Sequence, residues 1–476
     1  MNSIIDYFEK AVKSYPKKTA LIYNDLNFTY QELHDIIVSK SMALNHLEKK
    51  SVVGIFMENS SDFIISYLAV MKTGLIPHLI PFNLPTGKIS DQIQNSKASL
   101  VIHSDETSKI INHLNCDKVN ISELSSNKII NQDHVLQSND IAYLIYTSGT
   151  TSSPKGVGIT HSNSIFTTNN IIKKLTYKES DINLVPLPLS HSFGLGCLHV
   201  SLFIGSTFVL LNNASNLDLL INSIKKYNAT TLAAVPTTLN KIIQQKNKNI
   251  ENEFNNIRLI ITNSTTIPTE TVLEYKKILH DRKLATYYGL TEASRSTFMI
   301  FDMSGKENSV GLPPKDVEIK INNDTKNPLD VGEILIKGPN VISHYWNSPK
   351  ADELIKNSWL HTGDLGHKDG DGYLYLDGRT DYLINIAGEK IIPEDIEKVV
   401  KVLSGVEEAV AIGVKNEMFG HVIKLFVKKT NDGKIKKSEI ISHCIKNLER
   451  YMVPREIEFV NDFPQNVFGK IERFNL

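Results

Sequence analysis

The chain has 476 residues, 41% hydrophobic and 22% charged, a composition suited to a folded globular protein of two or more domains. Lys+Arg and Asp+Glu both number 52, so bulk charge gives no reason to expect nucleic acid or an anionic membrane surface as partner. Cys116, Cys197 and Cys444 stand far apart with no CxxC pair, which provides no zinc or disulfide framework and fits a reducing cytoplasm.

The first residues, MNSIIDYFEKAVKSYP, are amphipathic but carry Asp6 and Glu9 early, and so lack the apolar core of a signal peptide. Helical patterns then alternate with short β-branched runs. Val52–Phe56, Leu100–Ile102, Leu232–Val235 and Ile257–Ile261 read as strands, and Ser61–Thr73 and Leu217–Tyr227 as helices between them. That rhythm predicts α/β layers with parallel strands. The longest apolar region, Leu187–Leu211, is broken by Ser190, His191, Ser192, glycines and His199. It is expected to be a buried helix followed by a strand, with no transmembrane segment. From Gly311 the texture changes to strands and turns, as in VGEILIKGP and GYLYLDGR, predicting a more antiparallel sheet. Beyond Arg379 lies a compact α+β pattern: a helix from Pro393 to Val402, strands at Glu408–Val414 and Val422–Lys428, and a helix from Lys437 to Leu448. The expected domains are 1–379 and 380–476, with the boundary near Thr380-Asp381.

Four loci could carry chemistry. In YTSGTTSSPKG, Tyr146–Gly156, an apolar run ends in hydroxyls, glycines and a lysine. Backbone N–H groups and hydroxyls in such a loop can cradle phosphate oxygens, although GxxxxGK[ST] cannot be laid on Gly149–Lys155; a solvated Ser/Thr turn is the plain alternative. In YYGLTEAS, Tyr287–Ser294, a strand leads into an acid that could hold a metal ion on a phosphate, or cap a helix. In HTGDLGHKDGDGYLYLDGR, Asp369-Gly-Asp371-Gly departs from a calcium loop and reads as a hairpin turn bracketed by Asp364 and Arg379. PQNVFGKIER places Lys470 in a Gly-Lys turn near the end of the chain.

YTSGTTSSPKG, PLPLSHSFGL, YGLTE, SVGLPP, GEILIKGP, HTGDLG, GRTDYLINIAGEKIIPEDIE and FGKIER follow one another in that order. The chain thereby resembles the adenylate-forming superfamily of acyl-CoA synthetases, adenylation domains of nonribosomal peptide synthetases and luciferases, over essentially its whole length. In motifs it is most similar to the AMP-forming acyl-CoA synthetases. The resemblance implies a large N-terminal α/β domain of several subdomains and a small mobile α+β C-terminal domain. It implies a Mg²⁺-dependent ligase that joins a small-molecule carboxylic acid to the α-phosphate of ATP, releases pyrophosphate and passes the acyl group to a thiol, CoA being the first expectation. A separate carrier protein or an amine is the alternative acceptor, and a non-catalytic nucleotide-binding relative is a further one.

By the same resemblance, Thr147, Ser148, Gly149, Thr150, Thr151, Ser152 and Lys155 embrace the phosphates. Ser264, Thr265 and Tyr288 meet adenine, Thr291 sits by the α-phosphate, and Glu292 is the Mg²⁺ ligand. Asp364 takes the ribose hydroxyls with help from Arg379, and Lys470 bridges carboxylate and α-phosphate. Asp381 is the hinge, and Gly388 belongs to the face that forms the thiol tunnel. His191 matches the gate between acyl pocket and tunnel, and Ser192, Phe193, Val235, Asn263, Gly289 and Leu290 are acyl-site candidates, with Cys197, Pro236 and Leu239 beside them. Three positions depart from the family pattern: Ser152 replaces a glycine, Asn263-Ser264-Thr265-Thr266 replaces a Gly-Gly-Ala-Pro turn, and Asn385 replaces a lysine. The absence of an acid around His191 disfavours an α-amino acid, whose buried ammonium would lack a partner.

Overall fold

The computed structural model describes residues 1–125, 135–147, 155–212, 216–245, 250–263, 267–302, 305–323, 330–386, 389–416, 420–430, 433–465 and 471–476. The chain forms two compact units. One comprises Met1–Glu318 with Ile336–Leu360, the other Ile319–Leu335 with His361–Leu476.

Two large sheets organise the first unit. The eight-stranded sheet runs Ala293–Ile300, Lys283–Leu290, Leu259–Thr262, Thr231–Ala233, Ile182–Val185, Thr207–Leu210, Thr19–Tyr23, Leu26–Thr29 in space, and its inner pairs are parallel. The seven-stranded sheet runs Tyr345–Trp346, Lys155–Thr160, Ile141–Thr147, Ile76–Leu79, Val52–Phe56, Leu100–His103, Asp117–Asn120. The inner parallel strands Val52–Phe56, Thr207–Leu210 and Leu259–Thr262 are buried along their whole length, as in the α/β arrangement that the alternating sequence pattern predicts.

The helix Ser192–Ile204 shows why the long apolar region near residue 190 does not need a membrane. Every residue from Phe193 to Phe203 is buried, so the helix is enclosed on all sides within the core that also holds Phe8, Tyr30, Tyr67 and Phe208. It stops at Gly205, whose φ of +75° and close approach to Tyr15 exclude a side chain. The strand Thr207–Leu210 comes next. Among the described residues no helix is long and apolar enough to cross a membrane.

The second unit contains the strands Glu318–Asn322, Gly332–Lys337, Trp359–Lys368 and Leu374–Arg379 for most of their length. It continues with a small α+β body. There the strands Val406–Asn416, Gly420–Lys429 and Glu456–Val460 form a sheet, and the helices Pro393–Lys401 and Lys437–Asn447 contribute Ile396, Val400, Ile440 and Cys444 to its core. The compact units therefore assign residues 319–335 and 361–379 differently from the expected domains 1–379 and 380–476. The hairpin strand Leu374–Arg379 packs closely on the start of the helix Pro393–Lys401, where a Cβ on Gly378 would stand 2.7 Å from Glu394 Oε2 and 2.8 Å from Ile392.

Candidate active site

Parallel strands deliver their succeeding residues to one edge of a sheet, and ligands of open α/β sheets bind at that carboxyl edge. In the eight-stranded sheet the strands Ile182–Val185, Thr231–Ala233, Leu259–Thr262 and Lys283–Leu290 run the same way. The residues that follow the first three strands include His191, Val235 and Asn263, and the last strand ends in Gly289-Leu290, so the topology gathers these acyl-site candidates at one edge.

The segment around His191 is fixed from the side by Asn59. Its amide donates to the Leu187 carbonyl at 2.7 Å and accepts from the Leu189 N–H at 2.9 Å. His191 is the N-cap of the helix Ser192–Ile204: its Nδ1 accepts the Phe193 N–H at 3.2 Å, which leaves the neutral ring its proton on Nε2. Gly194 permits this turn, since a Cβ there would lie 2.4 Å from the Pro188 carbonyl oxygen. The Phe193 ring meets Tyr287 edge to face, centroids 5.5 Å apart.

YYGLTE closes a hairpin. Lys283–Leu290 pairs antiparallel with Ala293–Ile300, so no helix starts at Thr291-Glu292. Gly289 is required there, because a Cβ would stand 2.5 Å from the Arg295 nitrogen and 2.7 Å from the Ala293 oxygen. Tyr288 is buried in the strand, its N–H donating to Thr297 Oγ1 at 3.3 Å.

Glu292 is 9% exposed and accepts a hydrogen bond from the Tyr345 hydroxyl at 3.1 Å. Burial, and then the neighbouring Glu292 carboxylate, raise Tyr345 far above the ordinary tyrosine range, so the phenol stays a donor. Among the described residues no group of three or more His, Cys, Asp or Glu could hold a metal ion. A single buried carboxylate suits Mg²⁺ that takes its other ligands from phosphate and water, and does not suit a protein-caged metal.

Thr147 and Lys155 are register partners at the open end of an antiparallel pair, Ile141–Thr147 with Lys155–Thr160. They form the base of the hydroxyl-rich loop. Ser148, Gly149, Thr150, Thr151 and Ser152 lie outside the described residues, as do Ser264, Thr265, Gly388 and Lys470.

In the second unit Asp364 and Arg379 are register partners across the hairpin, and Arg379 Nη1 donates to Asp364 Oδ1 at 2.5 Å. The Thr362 hydroxyl accepts the Asp364 N–H at 3.0 Å. Burial opposes the Arg379 charge, but Asp364 and then Asp381 outweigh it and keep its pKa above the ordinary value. Asp381 lies in the short 3₁₀ turn Thr380–Tyr382, its carboxylate 3.4 Å from Arg379 Nη2. The Asp369 turn is built as expected, with Asp369 Oδ1 accepting the N–H groups of Asp371 and Tyr373.

Sequence reasoning missed three residues. Tyr345 holds Glu292 from 53 positions away, and no local signal marks it. Arg295 is buried behind Phe193; an arginine in the otherwise hydroxyl and apolar run ASRSTF was the available sign. Arg473, three residues after Lys470, is held by Glu394 and Glu397.

A buried acid at a hairpin turn, a hydroxyl-rich loop base and a sheet edge lined with acyl-site candidates make up the first unit's site, and the fold is that of the adenylate-forming enzymes. Residues 8–346 match the AMP-binding enzyme family and residues 395–470 match the AMP-binding enzyme C-terminal domain. The chain belongs to the AMP-binding enzyme family. It is 31% identical to a 2-succinylbenzoate–CoA ligase of Oceanobacillus iheyensis, over 97% of this chain and 96% of that one. It is 30% identical to an oxalate–CoA ligase of Arabidopsis thaliana, over 98% and 96%. In three dimensions it is similar to o-succinylbenzoate CoA synthetase from Bacillus subtilis in complex with its acyl-adenylate intermediate. The TM-score is 0.89 at 28% identity, covering 99% of this chain and 97% of that one. That synthetase is also known in complex with ATP and magnesium ion, again with a TM-score of 0.89.

Proposed function

We propose that the chain is an AMP-forming acid–thiol ligase acting in the cytoplasm. A carboxylate oxygen attacks the α-phosphorus of ATP, the bond to the pyrophosphate oxygen breaks, and an acyl-adenylate forms. The thiol of CoA, losing its proton, then attacks the acyl carbon; the carbon–oxygen bond to AMP breaks, leaving a thioester and AMP. The first step brings together two anions, so its barrier is charge repulsion and positioning.

The observation that carries this reading is Glu292, a buried carboxylate fixed by Tyr345 at the hairpin turn of YGLTE. Mg²⁺ on Glu292 would neutralise phosphate charge. We assign Thr147 and Lys155, with the loop between them, to the phosphates, and Thr291 to the α-phosphate. Asp364, oriented by Arg379, takes the ribose hydroxyls. His191, Ser192, Phe193, Val235, Asn263, Gly289 and Leu290 line the acyl site. Lys470 carries the charge needed in the first half-reaction. The C-terminal domain would pivot near Asp381 to exchange Lys470 for the face containing Gly388. The acids named for the relatives, 2-succinylbenzoate, oxalate and long-chain fatty acids, differ widely, so they do not by themselves define the acid used here.

Pyrophosphate release with a panel of acids, with and without CoA, tests the reading. The expected result is pyrophosphate only when an acid is present, and a CoA thioester when CoA is added. A thioester on a supplied carrier protein, or an amide, in place of acyl-CoA would move the acceptor. ATP binding without pyrophosphate from any acid would overturn the reading.

A further inference from the structure

Arg295 is 4% exposed, yet its acceptors are all neutral. Nη1 donates to the Ser192 carbonyl at 2.9 Å and to Ser294 Oγ at 2.7 Å, and Nη2 donates to the Phe193 carbonyl at 3.2 Å. Among the described residues no carboxylate lies within ion-pair distance of it, and its buried Nε has no hydrogen-bond partner. Five N–H groups with three used leave Nε–H and one N–H of Nη2, enough for a bidentate carboxylate. The guanidinium carbon lies 4.6 Å from the centre of the Tyr287 ring, and the buried Tyr287 hydroxyl makes no hydrogen bond of normal geometry. Space is cleared for this side chain: a Cβ on Gly196 would stand 2.3 Å from Nη2.

A buried cation without a counter-ion is costly, and burial of that cost at a site suggests that a ligand supplies the charge. The first turn of the helix Ser192–Ile204, on which the guanidinium rests, also favours an anion. Ser192 and Phe193 belong to the assigned acyl site, so the anion falls where the body of the acid would lie.

We propose that Arg295 is a specificity-determining residue that binds a second carboxylate on the acid, with the Tyr287 hydroxyl as a further donor, so that the substrate is a dicarboxylic acid activated at its other carboxylate. The inference rests on the acid-activating reading above.

The test compares pyrophosphate release for dicarboxylic acids, aliphatic and aromatic, with monocarboxylic acids matched in length and shape. In the wild type the best diacid should exceed its matched monoacid by at least about tenfold in kcat/KM, as expected where a site's polar groups would otherwise stay unpaired. Arg295→Met keeps the bulk and removes the charge; the ratio should fall to about one or invert. Arg295→Lys should retain part of it. Binding of sulfamoyl-adenosine, which needs no acyl pocket, checks that each variant folds. A wild type that prefers monoacids overturns the proposal, as does an unchanged ratio in a folded Arg295→Met. If Met fails to fold, the ratio in Arg295→Lys decides: one equal to wild type overturns the proposal. If sulfamoyl-adenosine binds but no acid of either kind releases pyrophosphate, the acid-activating reading fails and takes the inference with it.

Discussion

Tyr345 ties Glu292 to the base of the hydroxyl-rich loop. Its hydroxyl donates to Glu292 Oε1 at 3.1 Å, while its backbone is the register partner of Val157, two residues beyond Lys155. The proposed metal ligand and the proposed phosphate loop thus share one support. Tyr345→Phe should slow acid-dependent pyrophosphate release by about tenfold, the worth of one hydrogen bond to a charged group. The loss should be greatest at low magnesium. Glu292→Gln should cost two or more orders of magnitude, about what removal of a charge-stabilising group costs. Rates measured across a magnesium titration check both, and an unaffected Glu292→Gln would remove the residue from the site.

Asp364 should act on binding. Asp364→Ala removes two acceptors and, among the described residues, leaves Arg379 with the more distant Asp381 carboxylate, 3.4 Å away. The Kd for ATP should rise by about ten- to a hundredfold, consistent with loss of charge-assisted hydrogen bonds. Calorimetric titration with ATP checks this, and unchanged affinity would contradict the ribose assignment.

Three buried histidines make the fold sensitive to acid. Burial pushes His78 and His199 down to about 3 and His161 down to about 4. Because the unfolded chain binds protons on these rings near pH 6.5 and the folded chain does not, stability is full above that pH. It is lost progressively as pH falls toward the folded values. The thermal midpoint should therefore drop between pH 7 and pH 5. Replacing His199, hydrogen-bonded to Tyr67 at 2.9 Å, with Gln should flatten that drop.

Arg473 anchors the end of the chain within the second unit. Its Nη2 donates to Glu394 and Glu397 at 2.9 Å each, and its guanidinium lies 5.0 Å from the Tyr382 ring, next to Asp381. Burial already holds Glu394 above the ordinary carboxylate range, against the pull of Arg473. In Arg473→Met that pKa should rise further, so the ionised form is penalised fully above it and less as pH falls through it. The loss should approach about 3 kcal/mol at neutral pH, typical of breaking a buried pair, and be smaller at pH 5. Thermal melts at the two pH values check the sign.

The half-reactions should separate. Lys470→Ala should slow acyl-adenylate formation by about two to three orders of magnitude while sparing thiol transfer from supplied acyl-adenylate. Asp381→Pro fixes φ where a pivot would need freedom and should impair one half, thiol transfer, while sparing the other. Single-turnover assays of each half check both variants.

What the sequence makes legible is local. The Asp-Gly turn and the alternating Tyr373–Leu376 run set the hairpin register from Lys368 opposite Leu374 to Gly366 opposite Leu376; beyond Gly366 a bulge, which the sequence does not announce, shifts the pairing by one residue and makes Asp364 and Arg379 partners. The interrupted apolar region near residue 190 reads correctly as helix then strand because its breaks fall at a cap and a turn. What stays hidden depends on sheet order. Arg295 reaches the Ser192 carbonyl across 103 positions, and Tyr345 reaches Glu292 because a two-residue edge strand pairs beside Lys155–Thr160. No periodicity encodes either meeting. Thr291-Glu292 is a case where two local readings competed, and the antiparallel return of Ala293–Ile300 decides for a hairpin.

Whether the chain is an AMP-forming acid–thiol ligase is decided by the product balance of one reaction. The purified chain is incubated with ATP, Mg²⁺, CoA and an acid that supports turnover, and adenine nucleotides, pyrophosphate and thioester are quantified together. AMP, pyrophosphate and acyl-CoA should form in equal amounts, none of them without the acid. ADP with inorganic phosphate, or AMP formed at the same rate when the acid is left out, would contradict that activity.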